Sequence, residues 1–309
     1  MTWTALRWVW RLEAPLFVGM PAAGSLNRCR SYVPARVLWG AVTAELARLN
    51  SDEKSEFPDY GKFGHEVALN CRFTYLYPAE KIGNDEFLVW LPKYAAPKPG
   101  EQYRKDETEI GLRWAPYPRR DGKGLSDRDF RRRLLDSRPG TAIAPESDSA
   151  AEGTLRETEC INPWWRDPDC HGETKAMLLL GYVFLRNNGF RKQLDNIDTL
   201  FVGGDTRYGL GKIRRVRWQE VSADLSVLGK QVHLDSEDPE IESDIVWGHA
   251  LEAGQPATHE MRGAKELLNG WDQGSPWRGE RTWAPGSILE QPVAWTIDNY
   301  GYWVQKDKS

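Results

Sequence analysis

The chain has 309 residues, room for one large domain or two modest ones around a substantial core. Apolar residues make up 40% and charged residues 28%, a globular composition that excludes a disordered chain. The formal net charge of −4 argues against an autonomous, strongly basic nucleic-acid binder and leaves only local basic patches open.

From the N-terminus, residues 6–16 alternate: Leu6, Trp8, Trp10, Leu12 and Ala14 against Arg7, Arg11 and Glu13. Period two predicts a half-buried strand. The same charges interrupt any signal-peptide core, and the longest apolar runs, such as 177–180, are far below the roughly 18–20 residues of a membrane span. A cytoplasmic protein with Cys29, Cys71, Cys160 and Cys170 as free thiols is expected. Residues 18–33 form a loop rich in Gly, Ala, Asn and Arg, without Asp, Glu or His. Pro34 then opens a helix at its first turn, and Leu38, Val42, Leu46 and Leu49 mark its buried face.

Residues 52–153 are less regular. Strands are expected at 68–77 and 86–91, joined through 78–85, with a loop over 93–108. A basic stretch follows at 113–133, in which Arg131, Arg132 and Arg133 cover more than one face, so part of it reaches solvent. Strands are expected again at 154–161 and 175–185, the second of them buried. A helix over 190–200 would turn Leu194, Ile197 and Phe201 inward. Next come Gly203-Gly204-Asp205-Thr206-Arg207-Tyr208-Gly209-Leu210-Gly211 and a basic strand over 212–218. Six acids within residues 235–244 read as a solvated linker. Beyond it, Trp271, Trp277, Trp283, Trp295 and Trp303 accompany turn signals at Pro285-Gly286 and Asp298-Asn299, which predicts short strands. This order fits an α+β, ferredoxin-like split βαβ with an insertion in its first half.

The glycine loop is the sharpest local feature. Gly203, Gly204, Gly209 and Gly211 permit positive φ and close approach of a ligand. Arg207, Lys212, Arg214, Arg215 and Arg217 follow with no acid near them in sequence after Asp205, a combination suited to phosphates. A dinucleotide loop needs a strand before and a helix after, the reverse of the order here, and a P-loop needs Ser or Thr where Ile213 stands. The plain alternative is a turn feeding an edge strand with a solvated basic face.

With its flanking helix and strand, the stretch from Val202 to Lys212 resembles the characteristic glycine-rich loop of the RAMP superfamily of CRISPR-associated proteins. Tyr32-Val33-Pro34-Ala35-Arg36-Val37-Leu38-Trp39-Gly40-Ala41 resembles that family's first-helix start. There Ala35 and Arg36 replace small residues, and Trp39 replaces a usual Arg or Lys. Arg138-Pro139-Gly140-Thr141-Ala142-Ile143, continued by Glu152-Gly153-Thr154-Leu155 to Glu159, resembles its central segment. Together they cover most of residues 5–220 in order.

The resemblance implies an RRM-like ferredoxin fold over 1–220, with a large thumb-like insertion at about 52–153, and a β-rich, Trp-rich C-terminal region over 221–309. It also implies crRNA binding in a multisubunit ribonucleoprotein for antiviral defence. Among the family's roles, the noncatalytic subunit that caps the 5′ tag and anchors the backbone subunits fits best, nearest to type III-D-like or type VII complexes. Slicing backbone subunits carry an Asp in the loop after the first strand, which is missing here. A processing endoribonuclease needs a general base, and His65, His171, His233, His249 and His259 all lie outside the matched motifs.

The implied RNA contacts are Gly203, Gly204, Arg207, Tyr208, Gly209, Gly211 and Lys212, with Arg28, Arg30 and Arg36 along the first helix and Arg138 and Thr141 beyond. Expected partners are crRNA through its 5′ tag and the adjacent backbone subunits. The large or nuclease subunit is a further candidate, and target RNA is met only indirectly. No membrane, cofactor or catalytic residue is expected. Cys160-x9-Cys170-His171 could begin a zinc site, but zinc usually takes two close-spaced pairs, so free thiols are favoured. Trp164-Trp165 suits either base stacking or packing. A Trp-rich carbohydrate-active enzyme is the distant rival, without a recognisable acid pair.

Overall fold

The computed structural model describes residues 2–51, 57–95, 111–118, 124–166, 175–221, 226–252, 261–272 and 275–306. It is a mixed α+β structure, mostly sheet. The first two thirds of the chain contain β1 (Thr4–Leu12), α1 (Ala35–Leu49), α2 (Tyr60–Asn70), β2 (Cys71–Phe73), β3 (Tyr77–Lys81), β4 (Phe87–Ala95) and β5 (Gly111–Tyr117). They continue with α3 (Asp127–Leu134), β6 (Leu135–Gly140), β7 (Arg156–Ile161), β8 (Leu178–Leu185), α4 (Asn188–Asp195), β9 (Thr199–Phe201) and β10 (Lys212–Glu220).

The main sheet runs β9-β10-β1-β8-β3-β4-β5, with β2 also paired to β8, and its ladders are antiparallel. At its centre β1 lies between β8 and β10. Helix α1 follows β1, and α4 joins β8 to the β9–β10 edge.

The predicted alternation of β1 is real, with Leu6, Trp8, Trp10 and Leu12 all buried. The strand is nevertheless not half-buried, because Ala5 and Val9 on its other face are buried too. The other face is covered over Ala5 and Val9 but leaves Arg11 exposed. Trp8 stands opposite Trp218 in register, with ring centroids 4.8 Å apart, and also packs on Trp10 and Phe73. Such cross-strand aromatic pairs fix register. β8 is buried along its whole length, as expected.

Several expectations give way. Residues 68–70 end a helix rather than start a strand: α2 buries Phe63, Gly64 and Val67, and Asp59 accepts the Lys62 N–H as its cap. β3 runs through Pro78 to Lys81, where a connection was expected. Most of the expected loop at 93–108 lies outside the described residues, but residues 93–95 belong to β4.

The basic stretch contains β5 and α3. In α3, Ser126 caps the Asp129 N–H, acids open the helix and arginines close it, which matches both ends of its dipole. Arg131 bonds Glu159, Arg133 lies over Trp90 and Trp165, and Arg132 reaches solvent. α4 stops at Asp195, and Phe201, expected inward, is exposed at the end of β9. Pro34 is the N-cap of α1, one position before the expected first turn, and Leu49 is exposed.

A second, eight-stranded sheet holds the C-terminal residues. Its main strands are β11 (Glu240–Ile245), β12 (Ala250–Leu251), β13 (Lys265–Asp272), β14 (Ser275–Trp283), β15 (Ile288–Ile297) and β16 (Trp303–Gln305). The acidic stretch is therefore no solvated linker. Asp238 pairs with Arg72 at 2.8 Å, Glu240 with Lys306 and Asp244 with Lys230, and β11 lies within this sheet. A small third sheet joins β6, β7 and residues 26–27. Among the described residues, no helix is long and apolar enough to cross a membrane.

Candidate nucleic-acid interface

The glycine loop joins β9 to β10 and is tied to the segment just after β1. The Gly204 N–H donates to the Phe17 carbonyl at 2.9 Å, Gly211 N–H to Pro15 at 2.8 Å, and Val202 N–H to Gly211 at 2.9 Å. Gly203, Gly209 and Gly211 have φ of 82°, 80° and 81°. A Cβ on Gly203 would stand 2.2 Å from the Phe17 oxygen, and one on Gly211 2.1 Å from the Val202 oxygen. These two glycines are therefore required by backbone packing within the chain. Gly209 faces open space and is constrained by φ alone.

Between them, residues 206–208 make one 3-10 turn that presents Arg207 and Tyr208 outward. Tyr208 is 68% exposed, and the Arg156 guanidinium of β7 lies 5.2 Å from its ring centroid.

Beside this loop is a cavity of about 680 Å³. Gly203, Gly204 and Thr206 form one wall, Arg36, Val37 and Gly40 of α1 a second, and His249, Leu268 and Tyr300 of the C-terminal region a third. Pro34 caps α1 without a side-chain hydrogen bond, and the first turn holds no acid. The positive end of a fifteen-residue helix thus borders the cavity. Arg36 lies 4.9 Å from the Tyr300 ring centroid. Gly301 packs so closely on Ala35 that a Cβ there would approach Ala35 Cβ to 2.1 Å.

A buried polar network braces the cavity. Arg30 donates to Glu266 at 2.7 Å and to the Tyr32 hydroxyl at 3.0 Å. His249, fully buried, faces Glu266 through Nε2 at 3.1 Å and Tyr75 through Nδ1 at 2.6 Å. Glu266, as a carboxylate, only accepts, so Nε2–H donates to it and Nδ1 of the neutral ring accepts the Tyr75 hydroxyl proton, while the Tyr75 oxygen accepts the His249 backbone N–H.

Burial holds the His249 pKa below its usual value, against the pull of Glu266, and keeps the ring neutral. For Glu266, burial acts upward, but the His249 hydrogen bond and the Arg30 charge prevail and bring it down to about 2. Arg30 stays charged, since Tyr32 and Glu266 outweigh its desolvation.

Of the sequence-predicted residues, Gly203, Gly204, Arg30 and Arg36 come together around the cavity. Arg207, Tyr208 and Gly209 are exposed in the adjoining turn, and Gly211 and Lys212 lead out of it. Arg28 is half-buried and does not line the cavity. Arg138 and Thr141 belong to the β6 side of the third sheet, where Thr141 bonds Thr154 at 2.9 Å.

The basic run is not free of acids in space. Glu13 holds both Lys212, at 3.0 Å, and Arg214, at 2.6 Å, and Asp85 holds Arg217. Arg215 donates to the last carbonyls of α4. Arg207 has no ion pair or hydrogen bond among the described residues. Sequence reasoning missed Tyr75, in the connection between β2 and β3, and His249, Leu268, Tyr300 and Tyr302 of the C-terminal region.

Cys29, Cys71 and Cys160 are buried free thiols, whereas Cys170 and His171 lie outside the described residues. Trp165 is core, but Trp164 is 42% exposed.

The fold has solved counterparts. One is a chain of the Type III-B Cmr-beta complex bound to cognate target RNA and AMPPnP, state 1, seen by cryo-EM. It superposes with a TM-score of 0.52 at 12% identity, over 92% of this chain and 85% of that one. A chain of the same complex bound to cognate target RNA gives 0.52 at 10% identity, over 92% and 86%. At this identity the likeness is one of fold. No family model matches the chain, and no curated protein matches it in sequence.

Proposed function

We propose that this chain is a noncatalytic RAMP subunit of a CRISPR RNA-guided interference complex, where it binds and caps the 5′ tag of crRNA and anchors the adjacent backbone subunits. The observation that carries the proposal is the cavity shared by the glycine loop, the uncapped N-terminus of α1, and Arg30 and Arg36. The dipole of α1 and the Arg36 guanidinium meet there, with Arg30 buried behind them on Glu266, an arrangement suited to a phosphodiester strand. Tyr300, 38% exposed, gives the cavity an aromatic edge for a splayed base, whereas Tyr75 and Tyr302 are buried in its wall.

The fold supports the same reading. The central strands β10-β1-β8-β2/β3 stand in the fourth-first-third-second order of a ferredoxin-like βαββαβ unit. The fold counterparts come from a complex bound to target RNA. The loop at residues 18–33, without a carboxylate or histidine, offers no general base for slicing.

The test uses the full chain with a labelled repeat-derived RNA carrying the 5′ tag, beside a scrambled RNA of equal length. Arg207→Ala combined with Arg36→Ala is expected to lower tag affinity about 10-fold or more and to reduce the slope of log K against log salt by about 2. Unchanged affinity and slope would overturn the assignment of the cavity. Cleavage of the RNA by the chain alone would overturn the noncatalytic role.

A further inference from the structure

The face of the main sheet turned away from α4 carries a cluster that the cavity does not use. Arg215, paired with Trp10, bonds the end of α4, so Arg7, Val9 and Arg11 of β1 point the other way. The register sets Arg11 directly opposite Arg214 on one side and Leu178 on the other. Near Leu178, Ala176 bridges to Trp164, and the Arg11 guanidinium lies 5.5 Å from the Trp164 ring centroid.

Both side chains of that pair are exposed, and Arg11 makes no hydrogen bond or ion pair among the described residues. Arg214 and Lys212 share the single carboxylate of Glu13, and Arg217 meets Asp85. Along this stripe Lys212, Arg214 and Arg217 have carboxylate partners, and Arg11 has none among the described residues. Trp8 and Trp10, one face over, are fully buried. An indole left 42% exposed beside an arginine without a carboxylate partner among the described residues is the informative exception.

We propose that this face is a second site for single-stranded RNA, at which a base stacks on Trp164 and the flanking phosphates lie along Arg11 and Arg214. Every base has a π-face, so such a platform binds without reading sequence, and guanidinium groups match phosphate oxygens in pairs. Lys212 follows directly on the glycine loop, which makes the stripe continuous with that loop around the end of the sheet. The inference rests on the chain binding RNA and is independent of tag capping.

The experiment measures binding of a short labelled oligouridine to the full chain, with an iodouridine version for photocrosslinking. Trp164→Ala and Arg11→Ala are each expected to weaken binding about 10-fold, and Trp164→Phe to restore most of it. The crosslink is expected on the peptide that contains Trp164. Unchanged affinity in both alanine variants, or crosslinks confined to the glycine loop, would overturn the second site, as would a face that binds no oligouridine at all. Failure of tag capping reads out separately, as equal affinity for tag and scrambled RNA with the Trp164 effect intact.

Discussion

Gly203→Ala and Gly209→Ala pose the same dihedral problem with different surroundings. Their φ values, 82° and 80°, are nearly equal, and a left-handed L-residue costs roughly 1–2 kcal/mol. At Gly209 the new methyl meets nothing within 4 Å, so that cost is the whole effect. At Gly203 the methyl would stand 2.2 Å from the Phe17 carbonyl oxygen, closer than any real Cβ contact. The Phe17 segment must retreat, which breaks the hydrogen bond from Gly204 to that oxygen and disturbs the one from Gly211 to Pro15. Two backbone bonds at roughly 1 kcal/mol each bring the expected loss to about 3–4 kcal/mol.

Urea unfolding followed by circular dichroism gives both numbers, with equal m-values as the check that only native stability changed. A Gly203→Ala loss no larger than that of Gly209→Ala would refute the tight seat of the loop on the Phe17 segment.

Three further outcomes follow from the buried polar network and the Glu13 pairs. Glu266 has a lowered pKa, so its contribution is fully present above its unfolded value near 4.5 and is lost as pH falls towards about 2. His249 is also lowered, by burial, so its contribution is present above about 6.5 and fades below. Urea midpoints measured across this range should fall in both windows, and Glu266→Ala should be strongly destabilising because Arg30 keeps a buried, unpaired charge. Glu13→Gln releases Lys212 and Arg214 from their shared carboxylate, so RNA affinity should rise several-fold and its salt dependence steepen, with filter binding at several salt concentrations as the measurement.

Legibility in the sequence followed local pattern. β1 and β8 were readable because alternation and an unbroken apolar run are local signals. The glycine loop was readable as a loop, but the reason for two of its glycines was not, since the atoms that crowd Gly203 belong to Phe17.

α3 shows a signal that was present and outweighed. Ser126 with Asp129 three residues on is a capping pattern, and Arg131 to Arg133 suit a helix end, yet six charged residues among eight read as a charge patch. The acidic stretch misled for a similar reason, since Arg72 and Lys306 come from distant parts of the chain. Nothing local marks Tyr75, His249 or Tyr300 as neighbours of Arg30 and Arg36. Their meeting is a product of two sheets closing on one another.

The cavity wall has a temporal consequence. Its residues run from Val18 through Tyr75 and Gly203 to Tyr302, almost the span of the chain. A pocket whose sides are so far apart in sequence cannot be finished by any early-folding piece. Every strand of the main sheet lies within the first 220 residues, but one side of the cavity comes from the 298–302 turn packed against α1. On the proposed function, RNA held by all three walls docks only once the C-terminal sheet is in place.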